Sequence, residues 1–185
     1  MVTYKYPHTI ENGHGEQLTF RRRVMTPAGE RVEGDNVVKP GAGPPMHVHY
    51  FEQEEFTVTQ GRLGYQLLGG EPQFAGVGER ATFPAGVAHK FWNAGNEDLK
   101  CDACVSPPGN IEFFLTAMFD AQKRGKNGRP DIFDSAYLAW RYRSEYAMLE
   151  IPSLLQKLVF PVIVMIGTAL GKYRKYADAP APRTR

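Results

Sequence analysis

Through its first 110 residues the chain alternates apolar and polar positions in short runs rich in Val, Phe, Thr and Tyr. A period of two over four to eight residues marks a half-buried strand. The pattern predicts strands at Gln17–Thr26, Arg31–Val38, Met46–His49, Glu54–Thr59, Leu63–Leu68, Arg80–Phe83, Ala88–Asn93 and Leu99–Val105. Of the 33 glycines and prolines, 24 lie before residue 111, where they punctuate these runs. Short strands between dense turns fit an antiparallel β-barrel or jelly roll.

After residue 111 the apolar spacing lengthens to the helical period. Ile111, Phe114, Leu115, Met118 and Phe119 recur at three- and four-residue steps, behind Asn110 and Glu112 at the N-terminal end, where a cap and an acidic first turn are favourable. Helices are expected at Ile111–Lys123, Ser135–Leu149 and Ser153–Tyr173, with a loop at Arg124–Pro130. The expected organisation is an N-terminal arm over residues 1–14, a barrel over 15–107, a helical extension over 108–176 and a disordered tail over 177–185. The class is mainly β with C-terminal α-helices. His8 and His14 fall in the polar arm and read as solvent-exposed.

A chain of 185 residues accommodates one domain with an appendage rather than two full domains. The net charge of +2 changes meaning when divided along the chain. Residues 1–110 carry ten Lys and Arg against thirteen Asp and Glu, residues 111–150 carry six of each, and residues 151–185 carry six against one. No clustered basic face marks a nucleic-acid partner, so none is expected. Two cysteines, Cys101 and Cys104, make no disulfide framework. The first residues, Met1 to His8, hold no apolar signal-type run, and the expected location is cytoplasmic. Cys101-Asp-Ala-Cys104 has CxxC spacing but falls in a strand, where positions i and i+3 face opposite sides, so a redox pair is not expected. Arg21-Arg22-Arg23 alternates faces in the same way.

The candidate chemistry lies in two segments. His47 and His49 are two apart, which on a strand places both imidazoles on one face; Glu54 follows after a turn, and His89 lies on a later strand. Three imidazoles and a carboxylate suit one divalent first-row metal ion, with Fe, Mn, Ni, Cu and Zn all admissible. The first segment carries Gly41, His47, His49, Glu54 and Gly61, and the second Gly78, Pro84, Gly86, His89 and Asn93. These ten residues match the two motifs G-x5-H-x-H-x4-E-x6-G and G-x5-P-x-G-x2-H-x3-N, so residues 15–107 resemble the cupin superfamily. The resemblance implies a small antiparallel barrel with His47, His49, Glu54 and His89 as metal ligands. Two departures stand out: Tyr50 replaces a frequent proline, and Glu55 beside Glu54 competes for the ligand role, with Glu54 preferred because it keeps the six-residue gap to Gly61.

Phe56 and Val58 continue the Glu54 face, and Phe91 and Asn93 the His89 face, so all four are expected to line the barrel interior. A divalent ion with one carboxylate ligand leaves about +1 of charge, which favours an anionic or enolisable small molecule. The expected function is a metal-dependent, dioxygenase-like enzyme acting on a small organic molecule. A non-catalytic binding or sensing module is the alternative, and an isomerase or sugar-modifying enzyme a further one. The resemblance also implies a homodimer.

Leu158–Gly171 is a nearly unbroken apolar run, followed by Lys172, Tyr173, Arg174, Lys175 and Tyr176. It is too short for the ~20 residues that span a bilayer. It reads either as a helix packed on the barrel or a second copy, or as a peripheral membrane contact through residues 151–176.

Overall fold

The computed structural model describes residues 4–184. Eleven strands form two antiparallel sheets. The larger sheet joins β1 (His8–Glu11), β2 (Glu16–Thr26), β3 (Gly29–Val38), β10 (Leu99–Ser106), β5 (Gln53–Gln60) and β8 (Arg80–Phe83), in that order across the sheet. The second runs β11 (Tyr146–Met148), β4 (His47–His49), β9 (His89–Asn93), β6 (Leu63–Leu67) and β7 (Gln73–Ala75). α1 (Ile111–Arg124), α2 (Ile132–Arg141) and α3 (Ser153–Ala169) follow, and a 3-10 turn covers Arg174–Tyr176.

Alternation decides which side chains enter the space between the sheets. On β5, Glu54, Phe56 and Val58 are buried while their neighbours are not; on β9, His89, Phe91 and Asn93 are buried in the same way. One core joins Phe56, Val58, Leu63, Phe83, Phe91 and Leu99 from both sheets. A second seals the outer end of the barrel, where Phe20, Val32 and Val105 of the larger sheet meet Ile111, Phe114 and Phe119 of α1 and Leu138 of α2. The loop before β4 passes so close to β9 that a Cβ at Gly43 would overlap the Phe91 carbonyl oxygen, and Gly43 has φ +150. Only glycine fits there.

Several sequence expectations change. Residues 8–11 of the supposed arm are a strand paired with β2 in the register His8↔Phe20 to Glu11↔Gln17. His8 is accordingly half-buried, stacked between Tyr4 and Phe20. The helix expected at Ser135–Leu149 starts at Ile132, because the Asp131 carboxylate accepts from the backbone N–H of Phe133 and Asp134. It ends at Arg141, and Tyr146–Met148 instead pairs with β4. Apolar spacing alone did not reveal that the histidine strand had an open edge to be filled. α3 stops at Ala169 ahead of Gly171, which has φ +66.

The tail expected to be disordered is ordered over residues 177–184. Its proline-rich backbone offers carbonyls, and side chains of the helical extension bind them: Arg141 donates to Ala179 and Pro180, Tyr142 to Pro180, and Asn110 to Ala181. Arg183 then inserts its guanidinium against the fully buried Glu52 at 3.2 Å and over the Phe51 ring. Low hydrophobicity suggested disorder, but polar anchoring takes the place of core burial here. Residues 1–3 of the arm and residue 185 of the tail lie outside the described residues.

Candidate metal centre

β4 and β9 lie side by side with His47 opposite His89, and β5 brings Glu54 across from the other sheet. The candidate ligand atoms of His47, His49, Glu54 and His89 lie within 4.8 Å of one another. Glu55 points the other way, towards Arg80 and Gln53, so the one-residue ambiguity resolves in favour of Glu54. It is the strand's period of two that separates the adjacent carboxylates.

Two of the three rings are held by backbone acceptors that leave a nitrogen for the centre. The His47 Nδ1 pairs with the Pro45 carbonyl at 2.8 Å, and the His89 Nδ1 with the Val87 carbonyl at 2.9 Å. Such backbone acceptors select the tautomer whose Nε2 lone pair is free. His89 also stacks flat on Phe83 with centroids 4.0 Å apart, and its Nε2 lies 3.2 Å from Glu54 Oε2. The His49 Nδ1 is buried without a protein partner. Three imidazoles, one carboxylate and an orphaned ring nitrogen in one buried cluster fit a divalent ion.

Protonation agrees with that role. Burial, reinforced by the fields of His49 and His89, pushes His47 down to about 3, and burial also lowers His49. Burial alone would raise the Glu54 carboxyl, but the His89 contact and the surrounding imidazoles hold it at about 2. His47 and His49 are therefore neutral and Glu54 ionised at ordinary pH, the state that binds metal without first releasing protons.

The centre opens onto a partly open cavity of about 130 Å3. Phe56 and Phe91 line it with ring centroids 4.6 Å apart, without filling it. The other two residues expected in the pocket are elsewhere. Val58 packs in the barrel core. The Asn93 amide donates to the carbonyls of Val38 and Glu97 and accepts from the N–H of Gly95, so it ties loops together. Both follow the predicted face, but lie further along their strands than the cavity extends.

Three contributions to the cavity escaped the sequence reading. α1 supplies Phe114, Leu115, Met118 and Phe119, and β11 supplies Tyr146 and Met148. The three-and-four spacing on α1 announced a buried face without saying what it faced. The third is Glu16 of β2, a second carboxyl on the cavity wall. Burial pushes it up to about 7, against the Asn12 amide, which donates to it at 3.2 Å and lowers it. Glu16 lies outside both motifs, at the first position of β2. Tyr146 sits edge-on to His49 at 5.4 Å and donates to Glu52. The two cysteines lie on β10 with Cys101 buried and Cys104 partly so, and burial raises both thiols, which disfavours the thiolate form.

Residues 36–106 match the family model of the cupin domain. Among curated proteins the chain is similar to "Probable oxidoreductase virH" of Hypocrea virens, 36% identical over 76 residues covering 40% of this chain and 35% of that protein. It is similar also to "Oxidoreductase iacF" of Pestalotiopsis fici, 33% identical over 89 residues covering 47% of this chain and 44% of that protein. The matched part thus spans less than half the length of either relative. Among solved structures, an uncharacterized conserved protein with a double-stranded β-helix domain from Klebsiella pneumoniae is similar at 22% identity and TM-score 0.43, over 57% of this chain and 83% of that one.

Proposed function

The chain belongs to the cupin superfamily through residues 36–106, and from that premise we propose that it is a metal-dependent, dioxygenase-like oxidoreductase acting on a small enolisable molecule. The observation that carries this is the largely buried cluster of His47, His49, Glu54 and His89 opening onto a cavity with largely apolar walls. The oxidoreductase names of both curated relatives point the same way.

A divalent ion held by these four residues supplies Lewis-acid polarisation of a substrate oxygen and, where the metal is redox-active, electrons. The rest is work for the chain itself. A cavity of about 130 Å3 is close to the ~150 Å3 engineered cavity that admits benzene, so it suits a molecule with a single ring or a short chain. Phe56, Phe91, Phe114 and Met118 desolvate it and exclude water. Glu16, with its carboxyl near 7, takes or returns a proton at the cavity wall.

Glu16 also favours a second reading, proton transfer without oxidation, as in an isomerase. One experiment separates the two. The full chain, purified without chelator, is assayed for metal content and then for oxygen uptake with a panel of small enolisable compounds, beside His89→Ala. Bound metal and oxygen uptake in the wild type, both lost in His89→Ala, support the proposal. Substrate-proton exchange without oxygen uptake selects the isomerase. Bound ligand with neither reaction selects a binding or sensing module, and unchanged metal content in His89→Ala removes the centre.

A further inference from the structure

α3 is packed against α2, and this is its main contact with the rest of the protein. Only Phe160 and Gly167 of α3 are buried. Leu154, Leu155, Leu158, Val159, Val162, Met165 and Ile166, with Leu170 just beyond the helix, are exposed, Leu154 at 67% and Met165 at 66%. At roughly 100° per residue these eight positions fall within one arc of about 160°, while Phe160 and Gly167 fall on the opposite side. The arrangement is an inverted amphipathic helix: the polar-facing side of an ordinary surface helix is here apolar. A contiguous patch of this kind marks an interaction surface.

Charge indicates what covers it. From Ser153 to Ala177 the chain has four cations, Lys157, Lys172, Arg174 and Lys175, and no carboxylate. Lys157 is exposed near one end of the stripe, and Lys172 and Arg174 at the other. Lys175 is paired with Asp134, and Lys172 lies over the Phe133 ring. A second copy docked antiparallel on the stripe brings Lys157 against Lys172 and Arg174; one docked parallel brings like against like. Within Ser153–Ala177 neither offers a counter-charge, the exposed carboxylates Glu150 and Asp178 lying just outside it, whereas an anionic lipid surface accepts the apolar face and the flanking cations together. Crossing is excluded by length, since the seventeen residues of α3 rise only about 25 Å against a core of about 30 Å, and no described helix is long and apolar enough to cross a membrane.

We propose that α3 lies in the plane of an anionic membrane surface, its stripe from Leu154 to Leu170 sunk into the headgroup boundary, and docks the barrel there. The docking stands independently of the chemistry in the cavity. The test is co-sedimentation of the full chain with phosphatidylcholine vesicles, with and without phosphatidylserine. Beside the wild type stand Leu158→Gln/Met165→Gln, which keeps good helix formers at exposed positions, and Lys157→Gln/Arg174→Gln. Circular dichroism and metal content serve as fold controls. The expected result is binding to the phosphatidylserine vesicles that weakens with salt, falls about tenfold or more in the apolar variant, and falls several-fold in the charge variant. Equal sedimentation of wild type and apolar variant overturns the proposal, as does no sedimentation by any form. A wild-type dimer that the apolar variant converts to monomer, without vesicle binding, assigns the stripe to a second copy instead.

Discussion

Replacing Glu16 by Gln removes a titratable group from the cavity wall while keeping its shape. In the folded chain burial holds this carboxyl at about 7 against an ordinary 4.5. The folded state therefore retains a proton that the unfolded chain releases, and wild-type stability falls as pH rises from 4.5 through 7. The rise from 4.5 to about 7, at about 1.36 kcal/mol for each tenfold change in proton affinity, gives about 3 kcal/mol. Partial solvent access on the outer side of β2 screens that to about 2 kcal/mol. The assay is urea unfolding of chelator-treated wild type and Glu16→Gln at several pH values between 4.5 and 8. Stability of the variant minus that of the wild type is expected to grow by about 2 kcal/mol across this range, whatever its starting value. Because the prediction concerns the slope, a constant packing cost of the amide does not disturb it. A difference that stays flat, or shrinks as pH rises, would refute the placement of Glu16 as a desolvated carboxyl beside the centre.

Because His47 is held at about 3 and Glu54 at about 2, proton competition for the metal is expected only in strong acid. Chelator-resistant metal content should be level from pH 8 to pH 5; a decline centred near 6.5 would mean exposed, ordinary imidazoles. Arg183→Met leaves the fully buried Glu52 without its cation and is expected to cost about 3 kcal/mol at pH 8 by urea unfolding. Burial pushes the Glu52 carboxyl up to about 7, so at pH 6 it takes a proton and the cost should be smaller; an equal cost at both pH values would refute the buried pairing. Gly43→Ala places a methyl against the Phe91 carbonyl and is expected to destabilise by about 2 kcal/mol, so a thermally neutral variant would show that the loop does not approach β9 as described.

The barrel strands and the histidine and glutamate cluster were legible because each depends on a short-range rule. A period of two sends Glu54, Phe56 and Val58 inward from β5, and His47 and His49 are near enough in the chain for spacing alone to set their common side. Turn residues such as Gly41, Gly61 and Gly86, all with positive φ, announce themselves through residue type. What failed to show depends on partners far away in the chain. Residues 8–11 became a strand because β2 offered an edge, and Tyr146–Met148 because β4 did. The tail is ordered because Arg141, Tyr142 and Asn110 present donors to its carbonyls.

The sequence by itself determined a mainly β barrel, its four-residue histidine and glutamate cluster and the identity of an unusually apolar C-terminal helix. Local periodicity, turn chemistry and motif spacing suffice for those, since each is decided within a few residues. Tertiary structure alone decided that α1 and β11 wall the cavity, that Glu16 joins it, that Val58 and Asn93 do not, and that the apolar face of α3 points outward. The reason is physical: a side chain's face is set by its own strand or helix, but what that face meets is set by how distant elements pack.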